Sequence, residues 1–319
     1  MITRKIRWGV LGWARIAREF IIPAIQRSSN SEFHAIGSRD AAKLAECQKM
    51  FGGAKTCASY DEVLRDPEVD AVYIPLPNSM HREWAIKAAE QGKHVLCEKP
   101  VALNAAECRD IIAACSSHGV TLMEAFMYRY THRTRKVLEV LRSRALGDIR
   151  FISSTFRYLL TNRGSLYDVG CYPVNFVGMV TDEIAGAGPG MAPLPESVSA
   201  ELVRIDGVDT IFSGLMKYPS GLIASVNSGF NAQRRLFSEI VGTKGALEIP
   251  DTCFDNAGVL TLVTGEDRQG IPVEVSDRYR FEIEDFADAI LQRRAPQFTL
   301  AETQRNMEVL DRLFAARKD

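Results

Sequence analysis

Two successive patterns of apolar residues constrain this chain more than any single motif does. As far as Ala125, short apolar runs alternate with helical patterns, the grammar of βα units stacked into a parallel sheet. Residues 6–11, 32–37, 71–74, 94–97 and 121–124 read as buried strands, and 15–27, 41–51, 60–64, 80–91 and 105–118 as helices. Ser59 stands where a helix cap is expected, and Gly92 and Gly119 sit just past two helix ends, where the backbone turns left-handed. Beyond Ala125 the pattern changes. One long helix (133–144) precedes alternating runs at 151–158, 198–205, 210–218, 222–228, 237–241, 246–249 and 259–263. Strands that follow one another without helices predict an antiparallel sheet with one covered face. Helices at 282–293 and 301–316 close the chain, and the Gly- and Pro-dense stretch 186–195 reads as a surface loop.

A chain of 319 residues with 46% hydrophobic content exceeds what one core usually organises, so two domains are expected. Its 39 basic and 40 acidic residues are spread along the sequence, which supplies neither a stripe for a phosphate backbone nor a polybasic membrane patch; no nucleic-acid partner is expected. The first residues, MITRKIRWGVLGW, hold too short an apolar run for a signal peptide, and no later run reaches the roughly 18 apolar residues of a membrane span. Seven cysteines without a C-x-x-C pair suggest a reducing cytoplasm rather than a disulfide framework or a zinc ribbon. His34, His94, His118 and His132 lack metal-ligand spacing, so no metal is expected. No G-x-S-x-G elbow supports a serine hydrolase.

The run from Gly9 to Ala17 ends the first strand and opens a helix, the place of a dinucleotide fingerprint. Read as G-x-G-x-x-G/A it gives Gly12, Ala14 and Ala17, so alanine replaces the glycine that lets a pyrophosphate approach bare backbone. The helix beyond still offers unpaired N–H donors and a positive dipole end. At the end of the second strand, where an acidic residue would bind the ribose of NAD, the chain reads Gly37-Ser38-Arg39-Asp40. A hydroxyl beside a guanidinium suits a 2′-phosphate, which favours NADP over NAD. The plainer alternative makes Arg39 a solvated charge and Asp40 a helix cap.

These residues, together with Pro75-Leu76-Pro77-Asn78 and His81, Glu98-Lys99-Pro100, Glu124 through Arg129, and Asp168 through Asn175, resemble the glucose-fructose oxidoreductase/inositol dehydrogenase/MocA family in order and spacing across the chain. The resemblance implies an α/β protein. Residues 1–123 would form an NADP-binding Rossmann domain with a doubly wound parallel sheet. Residues 124–319 would form a substrate-binding and oligomerisation domain with an open, mainly antiparallel sheet, whose C-terminal helix could pack back on the first domain. It implies a homodimer or homotetramer built on that sheet. It also implies cofactor contacts from Gly12, Trp13, Ala14, Arg15 and Ile16, from Ser38 and Arg39, from Leu76, Pro77, Asn78 and His81, and from Glu98, Lys99 and Arg129. Trp13 is equally able to pack between domains, and His81 to serve as a plain helix-start residue.

Many members carry histidine where this chain has Tyr172, one helical turn after Asp168. A tyrosine there is similar to the branch containing glucose-fructose oxidoreductase, sugar-nucleotide 3-ketoreductases and dihydrodiol dehydrogenases. A hydride leaves or reaches a nicotinamide as a two-electron unit, so the protein must handle the matching proton on the substrate oxygen. By analogy Tyr172 is the proton donor or acceptor and Lys99 its electrostatic partner, in a turn where Pro100 is expected to be cis. Asp168 could orient the substrate or cap a helix, and Asn175, a turn further on, could bind a sugar hydroxyl. The expected activity is NADP(H)-dependent hydride transfer to or from a sugar-like carbon: an aldose dehydrogenase, an aldose–aldose oxidoreductase or a keto-sugar reductase. The alternatives are a trans-dihydrodiol dehydrogenase, an NAD(P)-dependent glycosidase and a non-catalytic NADP-binding sensor.

Overall fold

A computed structural model describes residues 4–159 and 165–318. The chain divides into two compact units, Met1–Met127 with Asp277–Leu300, and Tyr128–Ser276 with Ala301–Asp319.

The first unit holds six parallel strands: β1 (Ile6–Leu11), β2 (Ser31–Gly37), β3 (Lys55–Cys57), β4 (Ala71–Ile74), β5 (His94–Glu98) and β6 (Leu122–Ala125). Their order, β3-β2-β1-β4-β5-β6, is the doubly wound arrangement, with its reversal between β1 and β4. All four residues of β4 and of β6 are buried, as expected of strands covered on both faces. Asp40, Ser59 and Asn104 each accept backbone N–H bonds at the start of a helix, and Gly92 and Gly119 turn left-handed at φ 70° and 65°. The short strand β3 escapes a sequence reading because Lys55-Thr56-Cys57 is too brief to show alternation.

The helix Arg278–Gln292 belongs to this unit and not to the second. Phe286 packs on Trp8 at 5.4 Å and Tyr279 on Phe20 at 5.0 Å. Arg27 grips the capping Asp277 with two hydrogen bonds of 3.0 and 3.1 Å, and Asn30 donates to the Glu284 carbonyl at 2.9 Å. The first unit is therefore discontinuous, in contrast to the single boundary after residue 123 that the sequence implies. The segment that returns to it is the penultimate helix; the last one, Leu300–Ala315, lies almost wholly in the second unit. Amphipathic spacing shows that a helix has a covered face but not which sheet covers it.

The second unit carries nine strands: β7 (Ile149–Leu159), β8 (Ser197–Ile205), β9 (Val208–Lys217), β10 (Ile223–Gly229), β11 (Asn231–Gly242), β12 (Ala246–Pro250), β13 (Gly258–Thr264), β14 (Asp267–Val273) and β15 (Arg317–Lys318). They form one sheet in the order β14-β13-β12-β11-β7-β10-β9-β8-β15. Most neighbours run antiparallel, but β7 with β10 and β8 with β15 are parallel, so the sheet is mixed. β14 and β15 escape the sequence pattern: both are edges, and Asp-Arg-Gln-Gly-Ile-Pro-Val has Gly and Pro where a central strand would show alternation. Along β7 and β9 inward residues such as Ile152, Phe156, Phe212 and Met216 are buried, while Phe151, Ile211 and Leu215 stand out on the other face.

A buried ion network fixes the loop 186–195. Arg305 grips Asp182 with both terminal nitrogens, and the same carboxylate accepts from the backbone N–H of Gly190 at 2.8 Å and of Ala192 at 2.9 Å. Among the described residues no helix is long and apolar enough to cross a membrane. Replacing Arg305 with Met leaves the Asp182 carboxylate buried without its cation. Urea unfolding is expected to show a loss of about 3–5 kcal/mol; a loss under about 1 kcal/mol would mean the pair contributes little.

Candidate active site

The carboxyl end of β1 lies at the strand-order reversal, where a doubly wound sheet leaves a crevice. Gly12 takes φ +106°, and a Cβ there would meet Leu76 Cδ2 and Tyr60 Oη at 3.3 Å each. Its N–H donates to the Gly37 carbonyl at 2.9 Å, tying the loop to β2. Arg18 is the residue whose N–H reaches back to the Ala14 carbonyl, at 3.1 Å, so Arg15, Ile16 and Ala17 present N–H groups at the helix mouth. A wider, π-type turn follows at Ala17–Ile21, a feature common at functional sites. These donors fit a pyrophosphate. Trp13 is engaged elsewhere. Its buried indole donates from the ring N–H to Glu46 at 2.8 Å and meets Phe51 edge-on. Arg15 is exposed, 3.8 Å from Glu19.

At the end of β2, Ser38 is buried and its hydroxyl accepts from the Asp40 N–H at 3.1 Å. The Asp40 carboxylate caps the next helix, accepting from Ala42 and Lys43 N–H at 3.0 and 3.3 Å. Those donors and the helix dipole offset the acid next to the site. Arg39 is exposed and makes no ion pair among the described residues. The helix cap expected of Asp40 is present.

Glu98, Lys99 and Pro100 follow from β5, with a cis bond between Lys99 and Pro100. Lys99 is half-buried. Tyr73, fully buried and with its pKa pushed well above the ordinary phenol value by burial and then by Glu98, donates to Glu98 Oε1 at 2.5 Å. His81 is completely buried, with Nδ1 2.9 Å from the Pro100 carbonyl oxygen and Nε2 2.8 Å from that of Leu76. Burial outweighs the pull of the carbonyls and lowers its pKa, so the neutral ring donates its one N–H to one of these carbonyls and packs its other nitrogen against the second. His81 thus braces the Leu76-Pro77-Asn78 corner against the Lys99-Pro100 turn, and its ring is enclosed rather than presented to a ligand.

Tyr73 and Glu282 escape a reading by motif. Glu282 is fully buried, and neither of its oxygens has a hydrogen-bond partner among the described residues. Burial, followed by the charge of Glu98, pushes its pKa well above the ordinary carboxyl value. The signal was available: Glu282 lies at helical spacing among Tyr279, Ile283 and Phe286, on the covered face.

In the second unit a π-type turn at Leu166–Gly170 carries Asp168 and leads into the helix Cys171–Ala185. Tyr172 is 4% exposed, with ring centroids 5.2 Å from Phe156 and 5.9 Å from Tyr128. The Asn175 side-chain oxygen accepts from Tyr128 Oη at 2.6 Å and from Arg129 at 3.4 Å, and Arg129 pairs with Glu302 at 2.7 Å. All of these residues are buried, and the contacts tie the helix of Tyr172 to the segment before it.

A reversed-order parallel sheet with an open helix mouth at its switch point, in a chain with a second, mixed-sheet unit, defines a two-domain dinucleotide-dependent oxidoreductase. The chain belongs to the GFO/IDH/MocA family: residues 6–126 match the model of the oxidoreductase family with NAD-binding Rossmann fold, and residues 134–248 that of the GFO/IDH/MocA C-terminal domain. It is 34% identical over 324 residues to a D-xylose 1-dehydrogenase (NADP(+)) of Haloferax volcanii, covering 96% of each. It is 31% identical to a trans-1,2-dihydrobenzene-1,2-diol dehydrogenase of Xenopus laevis, over 80% of this chain and 78% of that one. Among solved structures, KijD10, a 3-ketoreductase from Actinomadura kijaniata in complex with TDP-benzene and NADP, superposes with a TM-score of 0.89 at 26% identity over 99% of both chains.

The buried Glu282 carboxyl, raised despite the nearby Arg278, gives a pH signature. A carboxyl whose pKa is higher folded than unfolded supports the fold below the unfolded value, and that support fades as pH rises toward the folded one. Glu282→Gln removes the group, so its melting temperature is expected to exceed that of the wild type by more at pH 8 than at pH 4.5. A constant difference across that range would show that Glu282 does not resist ionisation.

Proposed function

We propose that this protein is an NADP(H)-dependent dehydrogenase or reductase acting on a CH–OH or C=O carbon of a sugar-like substrate, in the range of aldose dehydrogenase, aldose–aldose oxidoreductase and keto-sugar reductase. The observation that carries the reading is the half-buried Lys99 in its Glu-Lys-Pro turn at the carboxyl end of β5, in a chain whose relatives include an NADP-dependent xylose dehydrogenase. The first unit holds the cofactor and the second the substrate. NADP is favoured by Arg39, without an ion pair among the described residues, beside Ser38 and the capped Asp40. When bound, the cofactor supplies or accepts the hydride at its nicotinamide.

The residues of this chain manage the proton. In oxidation the Tyr172 phenolate takes the substrate hydroxyl proton as the hydride leaves carbon; in reduction the phenol returns it to the nascent alkoxide. The Lys99 ammonium stabilises charge developing on the substrate oxygen. Glu98, whose oxygens accept from the Tyr73 hydroxyl and from the Lys99 backbone N–H, is assigned to a ribose hydroxyl of the cofactor. A second reading, oxidation of an aromatic trans-dihydrodiol, is favoured by the aromatic rings around Tyr172 and by the dihydrodiol dehydrogenase relatives. Phe151, Ile211 and Leu215 support assembly of a homodimer or homotetramer through the open sheet face, and seven buried cysteines suit a reducing cytoplasm.

A screen of aldoses, keto-sugars, inositols and trans-dihydrodiols, followed at the absorbance of the reduced nicotinamide, tests the reading. Lys99→Met is expected to lower kcat on the order of a hundredfold with cofactor binding retained; near-normal turnover removes Lys99 from the mechanism. Ser38→Asp places a carboxylate against the 2′-phosphate, and NADPH affinity measured by fluorescence is expected to fall roughly 10- to 100-fold while NADH affinity holds or rises. Tighter binding of NADH than of NADPH by the wild type overturns the cofactor assignment.

A further inference from the structure

The second unit contains a cavity of about 600 Å³ that the hydride-transfer chemistry does not use. It opens at the carboxyl ends of the helices His132–Arg142 and Cys171–Ala185, with the turn 144–147 and the hairpin 218–222 as its other walls. Tyr172 stands at the opposite end of the second helix, roughly 16 Å along the axis from Glu183 at about 1.5 Å per residue. Its volume falls in the usual range for small-molecule sites.

The floor is apolar. Leu146 and Leu222 are each 1% exposed, and Leu141, Ala192 and the Tyr218 ring complete it. The rim carries Arg142, Arg144 and Arg150 against Glu183 and Asp148. Glu183 holds Arg142 with two hydrogen bonds of 2.9 Å, and Asp148 lies 3.3 Å from Arg150. Arg144 is left without an ion pair among the described residues. Its backbone is left-handed, φ 57°, just past the end of its helix. Glycine is the residue that position ordinarily selects, so an arginine there strains the backbone and sets a guanidinium on the rim of an apolar hollow.

We propose that this cavity is a binding site, separate from the reaction centre, for a small organic monocarboxylate with an apolar body. The carboxylate pairs with Arg144, whose charge, unlike that of Arg142 and Arg150, no acidic group meets among the described residues, and the fork of a guanidinium matches the two oxygens of a carboxylate. The apolar body occupies the hollow lined by Leu146, Leu222 and Tyr218. A phosphate would leave that surface empty, and an uncharged ring would leave the guanidinium unmatched.

Isothermal titration of the full chain with benzoate, benzyl alcohol and inorganic phosphate tests this. Benzoate is expected to bind saturably in the millimolar range or tighter, and the other two at least tenfold more weakly. Arg144→Gly relieves the backbone strain, so the variant should melt at or above the wild-type temperature and turn over substrate normally, yet bind benzoate at least tenfold more weakly. Undiminished benzoate binding in Arg144→Gly places the ligand elsewhere, the reaction centre included, and overturns the proposal. So does the absence of saturable binding to the wild type, or phosphate binding as well as benzoate. The binding and melting readouts do not depend on the substrate assignment.

Discussion

A parallel sheet wound in two directions has one place where the helices leaving adjacent strands depart to opposite faces, and there the strand ends cannot be covered by their own connections. Here that place is the gap between β1 and β4. The chemistry-bearing residues of the first unit follow from it. Gly12 turns out of β1, the Leu76 corner out of β4 and the Lys99 turn out of β5, each at a carboxyl end of a neighbouring strand. His81 then spans the last two through its ring nitrogens, so the corner and the lysine turn are set by one buried imidazole.

The second unit positions its tyrosine by a different device. Arg129, Asn175, Tyr128 and Glu302 form a buried polar group at the start of the helix Cys171–Ala185. Preceding it, Asp209 accepts from the Leu166 N–H at 2.8 Å and from the Ser165 hydroxyl at 3.2 Å, which anchors the wide turn that carries Asp168. Buried hydrogen bonds are stronger than those in water, so each of these contacts fixes its side chains more firmly than an exposed one would. Tyr172 is therefore held from both sides along the chain.

The sequence was most informative where structure is decided locally. Strand 6–11 and helix 41–51 have the bounds their apolar spacing and flanking residues imply, and the caps at Asp40 and Ser59 could be read from residue type and position. The turn at Gly12 and the segment Gly37–Asp40 were legible as strand ends because each follows a recognisable strand. What was not legible depends on partners distant in sequence. Periodicity sets Asn175 one turn past Tyr172 but says nothing of Tyr128 and Arg129, which claim its oxygen. Nor could it show that Trp13 would spend its indole on Glu46, or that Glu282 would be sealed near Glu98 without a hydrogen-bond partner among the described residues.

The return of Arg278–Gln292 to the first sheet has a consequence for how the protein is made. Synthesis runs from the amino terminus, so β1 and the helix after it emerge long before the segment whose Phe286 and Tyr279 cover Trp8 and Phe20. Until nearly the whole chain has left the ribosome, those aromatic surfaces are open to water and to other nascent chains. A fragment cut at the apparent end of the nucleotide-binding half would keep that bare face permanently; a self-sufficient version must carry the distant helix with it, joined by an artificial tether.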